Sequence, residues 1–111
     1  MSRQKKLSSV LRTEISSLLL KKINDSRIGF ISITEIKISS DFKEAWIYYS
    51  QIGSEQQKNE TKKGLSSATK FIHSELSKTI RYMAIPKIRF RFDDSLEKGV
   101  DIINKINQLN Q

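Results

Sequence analysis

The sequence predicts an α+β fold, a three-stranded sheet packed on helices, in the order helix, strand, strand, kinked helix pair, strand, helix. Three patterns carry that prediction. Leu7, Val10, Leu11, Ile15, Leu18, Leu19 and Ile23 recur at three- and four-residue intervals, with polar residues between them, as on a helix with one buried face. Leu65, Ala68, Ile72, Leu76, Thr79, Ile80 and Met83 repeat the pattern in the middle of the chain. Ile88, Phe90 and Phe92 then alternate with Lys87, Arg89 and Arg91, the cleanest period of two and therefore a strand with one apolar and one basic face.

The remaining elements follow in order. Asn24, Asp25, Ser26 and Gly29 end the first helix, because short polar side chains and glycine satisfy or free the backbone where a helix stops. Ile31 and Ile33 share one parity and Ile36 and Ile38 the other, so a bulge is expected around Thr34 and Glu35. Ser39, Ser40 and Asp41 form a turn, and residues 42–51 return as the second strand of an antiparallel hairpin. Ala45, Ile47 and Tyr49 fall on one side of that strand, Trp46 and Tyr48 on the other, which reads as a packed or partly covered face before it reads as a base-stacking surface. After a polar connection at Gly53 and Ser54, helical character returns from Glu55, with an interruption or kink near Ala68, and continues toward Pro86, which cannot extend a helix. Asp94 and Glu97 have capping-box spacing ahead of a last helix carrying Leu96, Val100, Ile103 and Ile106. No repeat or long linker divides the chain, so residues 1–111 read as a single domain.

Charge narrows the function. The chain carries a formal net charge of +8 with a pI of about 9.8, which favours a polyanionic partner, nucleic acid or an acidic membrane surface. That charge is uneven: +5 over residues 1–30, −2 over 31–61, +7 over 62–91 and −2 over 92–111. On a helical wheel Lys63, Lys70, His73 and Arg81 gather opposite the apolar stripe of the central helix, with Glu75 as the acid that interrupts them. An ordinary exposed helix mixes signs for pairing, so this face reads as a phosphate-binding surface. The basic face of Lys87, Arg89 and Arg91 reads instead as the solvated side of an edge strand, since edge charges prevent pairing between molecules. With no cysteine, no apolar h-region at the start and no apolar run of membrane-spanning length, the expectation is a cytoplasmic protein with no membrane contact.

Catalytic chemistry finds little support. His73 is the lone histidine and there is no thiol, which leaves no metal site. Ser74 lies next to His73 on a helix, so their side chains diverge and cannot act as nucleophile and base. Asp93 and Asp94 read as helix capping, and the four glycines are too dispersed for a phosphate-binding loop. No cofactor and no enzymatic activity are expected.

The ordered residues resemble the bacterial ribosome-binding factor A family over nearly the whole chain. The resemblance rests on Asp25-Ser26-Arg27-Ile28-Gly29, on the run from Ile33 to Ser39 with Asp41, Phe42 and Ala45, and on Arg81, Pro86, Ile88, Phe90, Asp93, Ser95 and Gly99. It implies a KH-type domain of the second kind whose GxxG loop is replaced by a kink at an Ala-x-Gly motif, here Ala68-Thr69-Lys70. The alanine is retained; Lys70 replaces the glycine and adds a positive charge at the RNA-facing bend. Other departures are Ser26 where the family usually has proline, His73 and Met83 where arginine is common, Ser77 where glycine is common and Trp46 where lysine is common. Lys62, Lys63 and Lys70 compensate for the missing arginines.

What the resemblance implies is a monomeric factor that binds free small ribosomal subunits and their rRNA. It would assist late maturation, including processing of small-subunit (16S) rRNA near its 5′ end, and matter most in the cold. Arg27, Lys62, Lys63, Lys70, His73, Lys78 and Arg81 are the candidate RNA-binding residues. Two rivals remain: a general basic nucleic-acid chaperone with no preference for ribosomal RNA, and a protein-interaction module whose basic face docks on an acidic protein.

Overall fold

The first helix forms where the sequence places its apolar stripe. In the computed structural model, which describes residues 2–95, helix α1 spans Arg3–Lys21, and the Ser2 hydroxyl caps it by accepting from the Lys5 N–H at 3.1 Å. Leu7, Leu11, Ile15 and Leu18 are buried along one side, with Val10, Leu19 and Ile23 packed beside them. The expected C-terminal helix over Leu96, Val100, Ile103 and Ile106, with its Glu97 cap, lies outside the described residues.

Strands β1 (Ser32–Ile38) and β2 (Glu44–Ser50) form the expected antiparallel hairpin. The register shifts between Ile33 and Glu35, so the bulge sits where the parity of the isoleucines changes. Arg12 of α1 donates to the carbonyls of Ile33 (2.9 Å) and Thr34 (3.2 Å), which ties the bulge to the helix. In the turn, the Asp41 carboxylate accepts from the Ser39 hydroxyl (2.7 Å) and the Lys43 N–H (3.1 Å), and these bonds hold its pKa below the usual carboxylate range. Phe42 there takes a left-handed φ of 59°, a conformation disfavoured for a bulky side chain, while its ring packs against the core.

Helix α2 spans Glu55–Thr79, 25 residues without a break. Its start is a complete capping box: the Ser54 hydroxyl accepts from the Gln57 N–H, and the Gln57 side chain accepts from the Ser54 N–H. The expected interruption at Ala68-Thr69-Lys70 is therefore corrected: one helix, not a pair, runs through these residues. Lys70, a good helix former where the family motif has glycine, leaves no residue there that favours a break. The helix also stops earlier than the periodicity implies. Ile80 is extended, and Ile80, Ile85 and Pro86 are buried, so the chain turns into the core well before the proline can act. Arg81 and Met83 thus lie in the connection, and Thr79 is exposed instead of completing the apolar stripe. Thr61 and Gly64, nearer the start of the helix, extend that stripe.

Strand β3 (Lys87–Phe92) pairs in parallel with β2, giving the sheet order β1-β2-β3 with α2 as the crossover. Ala45 faces Ile88, Ile47 faces Phe90 and Tyr49 faces Phe92 across this pair. Tyr49 meets both phenylalanines edge-on, at 6.4 and 5.8 Å. The core gathers these inward residues with the stripes of α1 and α2. Both helices thus cover one face of the sheet, and the other face presents Trp46, Tyr48 and the basic side of β3. Thr34 donates to Asp93 at 2.7 Å and so fastens the end of β3 to the bulge of β1.

Candidate nucleic-acid interface

The loop after α1 is laid against α2 by two small residues. Gly64 has no side chain because the loop passes over it: a Cβ there would stand 2.5 Å from Ile28 Cγ1 and 3.3 Å from Arg27 Cβ. The buried Thr61 hydroxyl accepts from the Gly29 N–H at 3.0 Å and donates to the Arg27 carbonyl at 3.4 Å. The backbone of Arg27 is thereby fixed beside α2. Its guanidinium is engaged by Asp25, with Nη2 2.6 Å from Oδ2 and Nε 3.0 Å from Oδ1. Arg27 holds the Asp25 carboxyl down to about 2.

Along α2 the candidate cations divide by their surroundings. Among the described residues, Lys62 and Lys70 have no ion-pair partner, and both are exposed. Lys63 lies 3.9 Å from Glu60 and Lys78 lies 3.7 Å from Glu75, which also approaches Lys22 at 3.8 Å. The Lys63–Glu60 pair is exposed on both sides and worth about 0–1 kcal/mol, whereas Glu75 is partly buried between Lys22 and Lys78. His73 is half-buried and donates Nε2–H to the Ile85 carbonyl at 3.0 Å, so it braces the α2–β3 connection. Arg81, outside the helix, donates Nε–H to the Lys78 carbonyl at 3.1 Å and remains exposed. A helical wheel puts His73 and Arg81 with Lys63 and Lys70 on one face; the early end of α2 and the bond to Ile85 separate them.

A groove runs between α2 and the edge of β3. Lys62, Ser66 and Thr69 line its helical side, and Lys87, Arg89 and Trp46 line its sheet side. Arg12, counted with the N-terminal positive charge, is spent on the bulge carbonyls. Seven-residue spacing places Lys63 and Lys70 on one exposed ridge, with Lys62 turned toward the groove. The arrangement can hold a polyanion by its backbone: mobile ammonium groups on a rigid helix, hydroxyls beside them, and a second row of cations across a groove.

Among the described residues, no group of acidic residues and histidine could hold a metal ion, and no helix is long and apolar enough to cross a membrane. Asp93, the acid nearest to a dyad in sequence, spends its oxygens on the Thr34 hydroxyl and the Ser95 N–H. Those bonds hold its carboxyl below the usual range.

Comparison with known proteins agrees with this architecture. The chain is 49% identical over 108 residues to the ribosome-binding factor A of Dictyoglomus thermophilum, a match covering 96% of this chain and 90% of that protein. Its fold is similar to the crystal structure of ribosome-binding factor A from Thermus thermophilus, with a TM-score of 0.67 and 17% identity over 81% of this chain and 96% of that one. It is also similar to a Thermus thermophilus RbfA homology model fitted into the cryo-EM map of a 30S–RbfA complex, with a TM-score of 0.59 and 20% identity over 83% and 92% of the two chains. The sequence model described as ribosome-binding factor A matches residues 3–106, nearly the whole of the sequence whose helices and sheet are described above. The chain belongs to the ribosome-binding factor A family.

Proposed function

We propose that this protein binds the small ribosomal subunit by gripping rRNA phosphates along α2 and in the groove between α2 and β3, and that it acts there without catalysis during late maturation of the subunit. The observation that carries the reading is the pair of exposed cations, Lys62 and Lys70, without an ion-pair partner among the described residues, on a helix where Lys63 and Lys78 lie nearly 4 Å from their carboxylates. Family membership points the same way, as does the Thermus thermophilus relative fitted into a 30S complex.

Backbone gripping gives affinity without reading sequence, so shape and neighbouring ribosomal proteins supply the selectivity. Support for processing of 16S rRNA near its 5′ end, and a heavier demand in the cold, belong to the same proposal. A binding protein that holds one RNA arrangement matters most where rearrangement is slow. The KH-like order of elements supports an RNA-binding domain, and action as a single-domain monomer in the cytoplasm belongs to the same proposal.

Sucrose-gradient fractionation tests this reading. The protein is expected with free small subunits and absent from assembled ribosomes. Lys62→Glu with Lys70→Glu is expected to move it to the top of the gradient while circular dichroism stays unchanged. Equal retention by unrelated RNA in competition at matched salt would favour a general nucleic-acid chaperone, and retention on its partner after RNase treatment would favour a protein-docking module.

A further inference from the structure

The face of the sheet turned away from both helices carries a constellation that shares the rim of the α2–β3 groove and extends beyond it. Trp46 stands at the centre of the middle strand, opposite Arg89 on β3 and Lys37 on β1. The Arg89 guanidinium lies 5.2 Å and the Arg91 guanidinium 4.8 Å from the centre of its ring, and Lys37 lies 5.4 Å from the centre of Tyr48 beside it.

We propose that this outer face, centred on Trp46 with Arg89 and Arg91, takes an unpaired RNA nucleotide next to the segment held on α2. The inference rests on the RNA-binding reading of α2 and extends it across the edge of β3.

Three observations favour this occupant. First, Arg89 is held in place: Glu44 pairs with it at 3.2 Å, Trp46 lies under it, and its Nε–H is buried without an acceptor among the described residues. A charge that merely guards an edge strand would keep every donor solvated and would not bear the cost of the buried Nε–H. Second, the pairing with Glu44 leaves Lys87 and Arg91 as exposed cations without a carboxylate partner among the described residues, spaced as outward residues of one strand on either side of Arg89. That row is complementary to a phosphate backbone, while the indole and guanidinium planes are the surfaces on which unstacked bases lie. Third, the face is continuous with the α2 groove, because Trp46, Lys87 and Arg89 line that groove together with Lys62. A strand gripped by α2 therefore reaches Trp46 by passing over the exposed edge of β3.

Trp46 is the chain's only tryptophan, so its emission reports on this face. The full chain is titrated with an end-labelled single-stranded polyadenylate and with an RNA duplex of equal length, and label anisotropy and tryptophan emission are followed together. The single strand is expected to quench Trp46 along the same curve as its anisotropy rises, and the duplex to quench it far less. Arg91→Gln is expected to weaken single-strand binding about three- to tenfold with an unchanged melting temperature. Lys87→Gln, on the same edge, is expected to lower the salt slope of binding by about one.

Binding seen by anisotropy with flat Trp46 emission, and with Arg91→Gln unaffected, would overturn this inference and leave the α2 reading standing. Equal quenching by the duplex would also overturn it. Absence of any binding by anisotropy would overturn both.

Discussion

The cations of α2 and those of the outer sheet face differ in how they are held. On α2, Lys62 and Lys70 are exposed with no ion-pair partner among the described residues, and Lys63 and Lys78 lie nearly 4 Å from carboxylates one turn away. On the sheet, Arg89 is fixed between Glu44 and Trp46, Arg91 lies on the same indole, and Lys37 lies over Tyr48. The first arrangement suits a long polyanion whose phosphates can be met wherever they fall. The second is preorganised and suits one flat group in one place. Identical formal charge thus supports two kinds of recognition, and the packing around each side chain decides which.

Charge reversal on the helix is the largest lever on this contrast. Lys62→Glu with Lys70→Glu is expected to weaken RNA binding by about a hundredfold at moderate salt, measured by filter binding, because two attractive contacts become repulsive. Gly64→Ala comes next, acting through shape instead of charge. The added methyl meets Ile28 and pushes the loop carrying Arg27 away from α2, with a net cost of about 1–2 kcal/mol in denaturant melts after the gain in helix propensity.

Lys70→Gly separates the two roles open to that residue. It places a glycine where the family's kink motif has one, costs about 1 kcal/mol of helix stability and removes one phosphate contact. A several-fold loss of affinity with the melt lowered by no more than that propensity cost would assign Lys70 to the interface and not to the continuity of α2.

Asp25→Asn has the smallest expected effect and the opposite sign. It releases the Arg27 guanidinium, and affinity is expected to rise about two- to threefold. The same carboxylate gives a pH signature. Its folded pKa lies near 2 against an ordinary value of 3.8, so its contribution to stability is fully present above that ordinary range. It is lost as the pH falls toward about 2, and acid-melting curves of Asp25→Asn should lack that part of the decline.

Most of the scaffold is legible in the sequence because its signals are local. The α1 stripe, the parity change at the bulge, the hairpin turn and the alternation of β3 each depend on neighbours a few residues away. The end of α2 is not legible in this way, because burial of Ile80 and Ile85, a tertiary event, stops the helix ahead of Pro86. Two further signals are local and readable: the spacing of Ser54 and Gln57, a capping box, and Gly64, a glycine inside a helix that marks a close approach.

The candidate site is less legible. A helical wheel shows where side chains emanate but not what engages them, so it cannot distinguish Lys70 from His73, which is tied to Ile85, or place Arg81 beyond the helix. Arg12 reads as part of the positive field in the sequence and is structural in the fold. Trp46 meets Arg89 and Arg91 only through the parallel register of β2 and β3, a pairing between strands separated by the whole of α2 that no local pattern reveals.

The most direct measurement is the salt dependence of RNA affinity for the unchanged protein and for Lys62→Gln with Lys70→Gln. If these two lysines each neutralise a phosphate, the slope of log affinity against log salt falls by about 1.4 to 1.8 and the fold is unaffected. An unchanged slope would contradict the assignment of α2 as the phosphate-gripping element.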